Sequence, residues 1–176
     1  MPHIISMPPR TIMEVYKMLP QGTLAELIDG KIYMSPSPVT DHQRIISRLL
    51  SKIFSYVEEE GLGEVFVSPF DVYLDEHANA VQPDLIFVSK TNIHIVQDHI
   101  HGVPDLLIEL LSPGNKTHDT VTKKNLYETF KVKEYWIIDP ATKESIGYRL
   151  EGGRYQEFAR SVGNIASLLL KQRFDF

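Results

Sequence analysis

The sequence predicts an α/β fold with a mixed central sheet flanked by helices and with hairpins near both ends. Three observations carry this expectation. DLIFVS and DLLIELLS are apolar runs that do not alternate, so they read as strands buried on both faces. From about Asp41 to Glu60, Ile45, Ile46, Leu49, Leu50, Ile53, Phe54 and Val57 recur at helical spacing. A helical stretch at 118–130 then separates DLLIELLS from the strand EYWIID, so a helix crosses between two sheet strands.

The other elements follow in chain order. Thr11 with Glu14 three residues on forms a capping-box pattern, opening a short helix to about Met18. LAELIDGKIYM reads as a hairpin turning at Asp29-Gly30. SPSP is a loop, and Gly61 and Gly63 close the long helix. EVFVSPFDVYL gives one or two strands bent at Pro69. SIGYRL and RYQEF pair around Gly152-Gly153, and the apolar tail 165–170 is expected to cover a sheet edge. No repeat or linker divides the chain, and residues 1–176 are expected to form a single domain.

Composition narrows the function. The hydrophobic share is 43%, ordinary for a soluble protein. No run of eighteen apolar residues offers a membrane span, and MPHIISMPPR lacks the apolar stretch of a signal peptide. With no cysteine there is no disulfide, no thiolate zinc site and no cysteine nucleophile, and a cytoplasmic location is the default expectation. A net charge of −5 argues against a protein that coats nucleic acid, but not against an enzyme that works with divalent cations.

The acids carry the chemistry. A carboxylate at Glu109, inside a strand buried on both faces, is costly unless it is paired or meets a cation, so a salt bridge is the plain alternative to a metal ligand. Asp105 lies four positions earlier on the same strand, about 13 Å away at 3.3 Å per residue, too far for one ion to join them. It reads as a strand-start residue. Asp84 opens the preceding strand. If the two strands are neighbours, Asp84 and Glu109 can share a hard cation at oxygen distances of about 2.0–2.1 Å for Mg²⁺.

Pro83-Asp84 followed by Glu109-x-Leu111 resembles the PD-(D/E)XK nuclease superfamily. The wider pattern is similar to one branch, the Uma-type family of putative restriction endonucleases. The similarity rests on AELIDGKIYMSPSP, QPDLIFV, PDLLIELLSP, the spacing of Asp119, Lys123 and Tyr127, and KEYWIIDP. It covers about 25–150 and implies a restriction-endonuclease-like fold, a DNA substrate, and Mg²⁺, with Mn²⁺ as the alternative, held by Asp84 and Glu109. The sequence departs from the superfamily at Leu111, where a lysine is expected. The resemblance offers Lys123 as its replacement. It also implies a supporting role for Glu26, whose plain alternative is a cross-strand pair with Lys31. The bland reading of Lys123 is an exposed helix lysine paired with Asp119.

Remaining signals are weaker. Five lysines between Lys116 and Lys133 suggest either a phosphate-facing edge or a solvated helix face, with Lys124 turned to solvent or phosphate. His94, His99 and His101 cluster without a zinc motif, and His42, near the SPSP loop, reads as a solvated residue, with a substrate contact as the alternative. Ser35, Ser37 and Ser112 lack triad partners at a recognised spacing. Trp136 and Tyr135 read as core. The expected activity is therefore metal-assisted hydrolysis of DNA by Asp84, Glu109, Lys123 and Glu26, with a homodimer left open. Two other classes stay open: a catalytically silent fold binding nucleic acid or protein, and a metal-binding regulatory domain.

Overall fold

The computed structural model describes residues 8–113 and 118–176, with the side chains of 118 and 119 left aside. Lys116 and the Asp119 side chain, both singled out above, therefore lie outside the described residues.

Helix α1 (Ile12–Lys17) begins with the expected capping box: Thr11 Oγ1 accepts from the Glu14 N–H at 3.1 Å, and the Glu14 carboxylate accepts from the Thr11 N–H at 3.3 Å. Strands β1 (Ala25–Ile28) and β2 (Lys31–Met34) join through Asp29 and Gly30, both left-handed at φ 47 and 73, as a two-residue hairpin turn requires. Helix α2 (Thr40–Glu60) buries Ile45, Ile46, Leu49, Ile53 and Val57 along one stripe and ends at Gly61 in the left-handed conformation. Phe54, counted above with the apolar stripe, is 48% exposed instead.

Next come β3 (Gly63–Val67), β4 (Val72–Tyr73), β5 (Ala80–Val81), β6 (Leu85–Ser89), β7 (Ile100–His101) and β8 (Leu106–Leu110). The helical crossover is not uniformly α: a π turn over His118–Lys123 leads into α3 (Lys124–Thr129). Strands β9 (Glu134–Ile138), β10 (Glu144–Glu151), β11 (Arg154–Val162), β12 (Asn164–Ser167) and β13 (Gln172–Asp175) complete the chain.

The central sheet has six strands in the order β11-β10-β9-β8-β6-β3. Strands β8 and β9 run parallel across the α3 crossover, and the other neighbours are antiparallel. A second sheet, β2-β1-β5-β4-β7, was not anticipated as a unit. Its β4, β5 and β7 are two residues long, too short to show a period.

Alternation assigns the faces of the central sheet. Leu85, Phe87, Leu106, Ile108, Leu110, Trp136 and Ile138 pack with α2 on one side. Ile86, Val88, Leu107, Leu111, Tyr135 and Ile137 pack with α3 and the small sheet on the other. The tail does not cover an edge. Ile165, Leu170, Phe174 and Phe176 fill the core beside α2, and β12 and β13 pair only with each other. Asp84 and Glu109 fall in the series that faces α3 and the small sheet. This is why a helix lysine and a hairpin glutamate can reach them.

Candidate active site

The antiparallel register of β6 and β8 pairs Leu85 with Ile108, so extending it by one position sets Asp84 across from Glu109. The two strands are also tied at this point, because the Leu110 N–H donates to Asp84 Oδ2 at 2.7 Å. The same oxygen lies 3.1 Å from His42 Nε2. A carboxylate partner calls for a proton on Nε2. Nδ1 is buried and has no partner among the described residues. His42 is 6% exposed, not the solvated loop residue expected from sequence.

Glu109 is 3% exposed, and its Oε1 accepts from Lys123 Nζ at 2.9 Å and from the Tyr127 hydroxyl at 2.7 Å. Lys123 and Tyr127, four residues apart, present one face of the crossover helix to the sheet. The ammonium also lies 2.9 Å from Glu26 Oε1, which accepts the Gln82 N–H at 2.9 Å. Glu26 therefore takes Lys123 as its cation, rather than Lys31. Burial, then the charges of Glu109 and Glu26, push the Tyr127 hydroxyl well above its ordinary value of 10. Tyr127 is accordingly a protonated donor at every working pH.

The structure thus brings Glu26, Glu109 and Lys123 into direct contact and sets Asp84 beside them. All four line one cleft of about 310 Å³, together with His42 and the 35–38 loop. Ser35 and Ser112 reach its wall. Three carboxylates gather around the Lys123 ammonium there, an oxygen-rich setting that suits a cation. Hard oxygen donors fit Mg²⁺, which binds through one or two protein carboxylates plus water and substrate oxygens. Asp84 Oδ1 has no partner among the described residues and is open for such use. No group of three His, Cys, Asp or Glu side chains suited to a metal occurs among the described residues.

Asp105 sits at the opposite end of β8 and does not join the cleft. Its carboxylate accepts from Lys133 Nζ at 2.6 Å, from the Ser89 N–H at 2.8 Å and from Asn92 Nδ2 at 3.2 Å. Leu111, at the missing-lysine position, is buried in the core facing α3. The lysine-rich stretch does not form one basic edge among the described residues. Lys123 is buried, Lys124 lies 4.2 Å over the Tyr148 ring, Lys131 bonds Gly153 O, and Lys133 bonds Asp105. The histidine cluster disperses. His101 is held between Glu76 and Asp98, His99 packs on Phe70 and Tyr73, and His94 is exposed.

Sequence reasoning missed Gln82, and for His42 it missed the contact with Asp84. The Gln82 backbone N–H holds Glu26, a role no side-chain pattern reveals, although Gln82 directly precedes Pro83-Asp84.

A mixed sheet with an acid-and-lysine cluster at the junction of two antiparallel strands and a crossover helix defines a nuclease-like class. The family model described as putative restriction endonuclease, Uma2, matches residues 13–170, and the chain belongs to that family. It is also similar to the crystal structure of a putative nuclease belonging to DUF820 from Anabaena variabilis ATCC 29413. That similarity has a TM-score of 0.69 and 24% identity, over 85% of this chain and 84% of that chain, and at this identity it speaks for the fold. No curated protein matches the chain.

Proposed function

We propose that the protein is a Mg²⁺-dependent endonuclease that hydrolyses DNA phosphodiester bonds. The observation that carries this reading is the Lys123 ammonium held between Glu109 and Glu26, beside Asp84, in an open cleft. Asp84 and Glu109 would hold the cation, which when bound polarises a phosphoryl oxygen and acidifies a water. The chain's own groups do the rest. The Leu110 N–H and His42 fix the Asp84 carboxylate, so its orientation costs nothing at the moment of reaction. Glu26 and Tyr127 fix the ammonium and its glutamate partner. Lys123, arriving from the helix in place of Leu111, supplies positive charge to the developing charge on the phosphoryl group.

The test is cleavage of plasmid and single-stranded DNA with Mg²⁺, Mn²⁺ or a chelator. Nicked or linear product with either metal, and none with chelator, supports the reading. One observation favours a silent binding module instead: Lys123 is buried at 5% exposure and already paired with two carboxylates. DNA binding without cleavage under every metal would select that alternative.

A further inference from the structure

Beside the cleft lies a second cavity of about 460 Å³, which the proposed reaction does not use. Gln82 and Pro69 line both spaces. Gln82 is the joint between them. Its backbone N–H holds Glu26 on the cleft side, while its side-chain amide donates to Asp71 Oδ1 at 2.9 Å and to Thr23 O at 3.1 Å on the other. The walls of the second cavity include Tyr16, Phe70, Tyr73 and His99. Phe70 stacks on Phe66 at 5.1 Å and 18°, and the His99 ring lies 5.7 Å from it at 40°.

The polar chemistry of this cavity selects against a phosphate. Asp71 and Asp98 line it, and Lys17, its one lysine, is spent on Glu76 at 2.8 Å and on the Tyr73 ring at 4.7 Å. Asp71 Oδ1 is satisfied by Gln82 and by the Tyr16 hydroxyl at 2.9 Å. Asp71 Oδ2 has only the Tyr73 hydroxyl, at 3.5 Å, among the described residues. That oxygen keeps capacity to accept from an N–H. Burial, then the charge and hydrogen bond of Asp71, push the Tyr73 hydroxyl up to about 12, so it too stays a donor. A rigid aromatic wall with one spare carboxylate oxygen fits a flat, uncharged, N–H-bearing ring.

We infer that this cavity receives one unpaired nucleobase of the DNA, stacked on Phe70 and hydrogen-bonded to Asp71, while the neighbouring phosphate sits in the cleft. The inference rests on the nuclease reading for its choice of ligand. It makes the substrate a DNA with an extrahelical or single-stranded base beside the cleaved bond, since a paired base cannot leave its stack without cost.

The probe is 2-aminopurine, placed either at a bulge or in a fully paired position of the same duplex, with chelator present so that no cleavage intervenes. Wild-type protein should quench the bulged probe and bind that duplex at least about tenfold tighter than the paired one, the scale of one base stacked on an aromatic side chain. Phe70→Ala should lose both the quench and the preference. Gln82→Ala, which keeps the N–H to Glu26 but releases Asp71, should weaken the preference. Equal affinity of wild-type protein for the two duplexes, or a quench unchanged in folded Phe70→Ala, overturns the inference. Should Phe70→Ala fail to fold, the wild-type comparison decides alone. Metal-dependent cutting of paired plasmid with no quench sinks the base cavity only. A quench with no cutting under any metal sinks the nuclease reading and leaves the cavity standing.

Discussion

Both ends of β8 carry a buried acid answered by a lysine, and the two pairs differ in what they leave over. Asp105 at the start is 1% exposed and Glu109 near the end is 3% exposed. Lys133 comes to Asp105 from solvent, its side chain 60% exposed, while Lys123 comes to Glu109 fully inside, at 6%. Asp105 is surrounded by donors: an ammonium, a backbone N–H and an amide. Glu109 must share its ammonium with Glu26 and has Asp84 across the strand pair. A buried acid saturated with donors holds a strand start in place. A buried acid that shares its lysine with a second carboxylate, beside a third, gathers like charges in one cleft, an arrangement common at functional sites.

Removing the acid at the shared end should have the largest effect. Glu109→Gln is expected to abolish metal-dependent cleavage, a loss of at least about 10³-fold if the cation supplies about 4 kcal/mol. Thermal melts separate ligand from scaffold. Wild-type protein should gain about 2.7 kcal/mol when Mg²⁺ is about 100-fold above its Kd, by binding the native state. Glu109→Gln should gain far less, and an equal gain would remove Glu109 from the ligand set.

Lys123→Ala comes next. It should lower cleavage at least about 10²-fold with little change in DNA affinity, the pattern for an interaction made in the transition state. It also strips the cation from two buried carboxylates, so a stability loss of about 3–5 kcal/mol should accompany it. Normal cutting by folded Lys123→Ala would move the chemistry to another group.

The saturated end should respond in the opposite sense. Asp105→Asn is expected to spare cleavage and cost about 2 kcal/mol of stability, because Lys133 can return to water while the buried N–H donors lose a charged acceptor. Burial pushes the Asp105 carboxyl up, but the Lys133 ammonium, the Ser89 N–H and Asn92 outweigh it and hold the group below its ordinary 3.8. A depressed carboxyl contributes stability above pH 3.8, and that contribution is lost as pH falls through the lower folded value. Melting temperature followed downward from about pH 5 should therefore fall less steeply for Asp105→Asn than for wild type. Equal slopes would mean that the fold does not hold the Asp105 carboxyl below its unfolded value.

The same contrast explains what the sequence could reveal. Asp84 and Glu109 were legible because each sits at a fixed place in an apolar strand. Lys123 was legible through the family resemblance, and its spacing from Tyr127 added only that the two share a helix face. Distinguishing Asp105 needed only the rise of a strand. His42 was legible only as a residue that could touch substrate, since a histidine in the first turn of a helix carries no sign that it will be buried against Asp84. Gln82 acts through its main chain. Three of the small sheet's strands, β4, β5 and β7, are two residues long, and their pairing depends on the chain returning from far away. Contacts fixed by distant segments leave no local period, and Lys124 is one of them.

Lys124 gives the smallest effect and the finest test of the comparison. Its position next to Lys123 suggested a phosphate contact, in which case Lys124→Ala would weaken DNA binding and reduce the salt dependence by about 0.9 in log–log slope. The structure lays its ammonium over the Tyr148 ring of β10 and leaves it half-buried, so its charge is already engaged within the fold. Lys124→Ala should then cost only about 0.5–1 kcal/mol of stability and leave the salt slope unchanged. The double change with Tyr148→Leu should cost less than the sum of the singles by about the same amount, because the two side chains spend their interaction on each other. A slope that drops by about 0.9, with no coupling to Tyr148, would show the ammonium leaving the ring for a phosphate. The helix carrying Lys123 would then face the DNA directly, and the two neighbouring lysines would divide chemistry and binding between them.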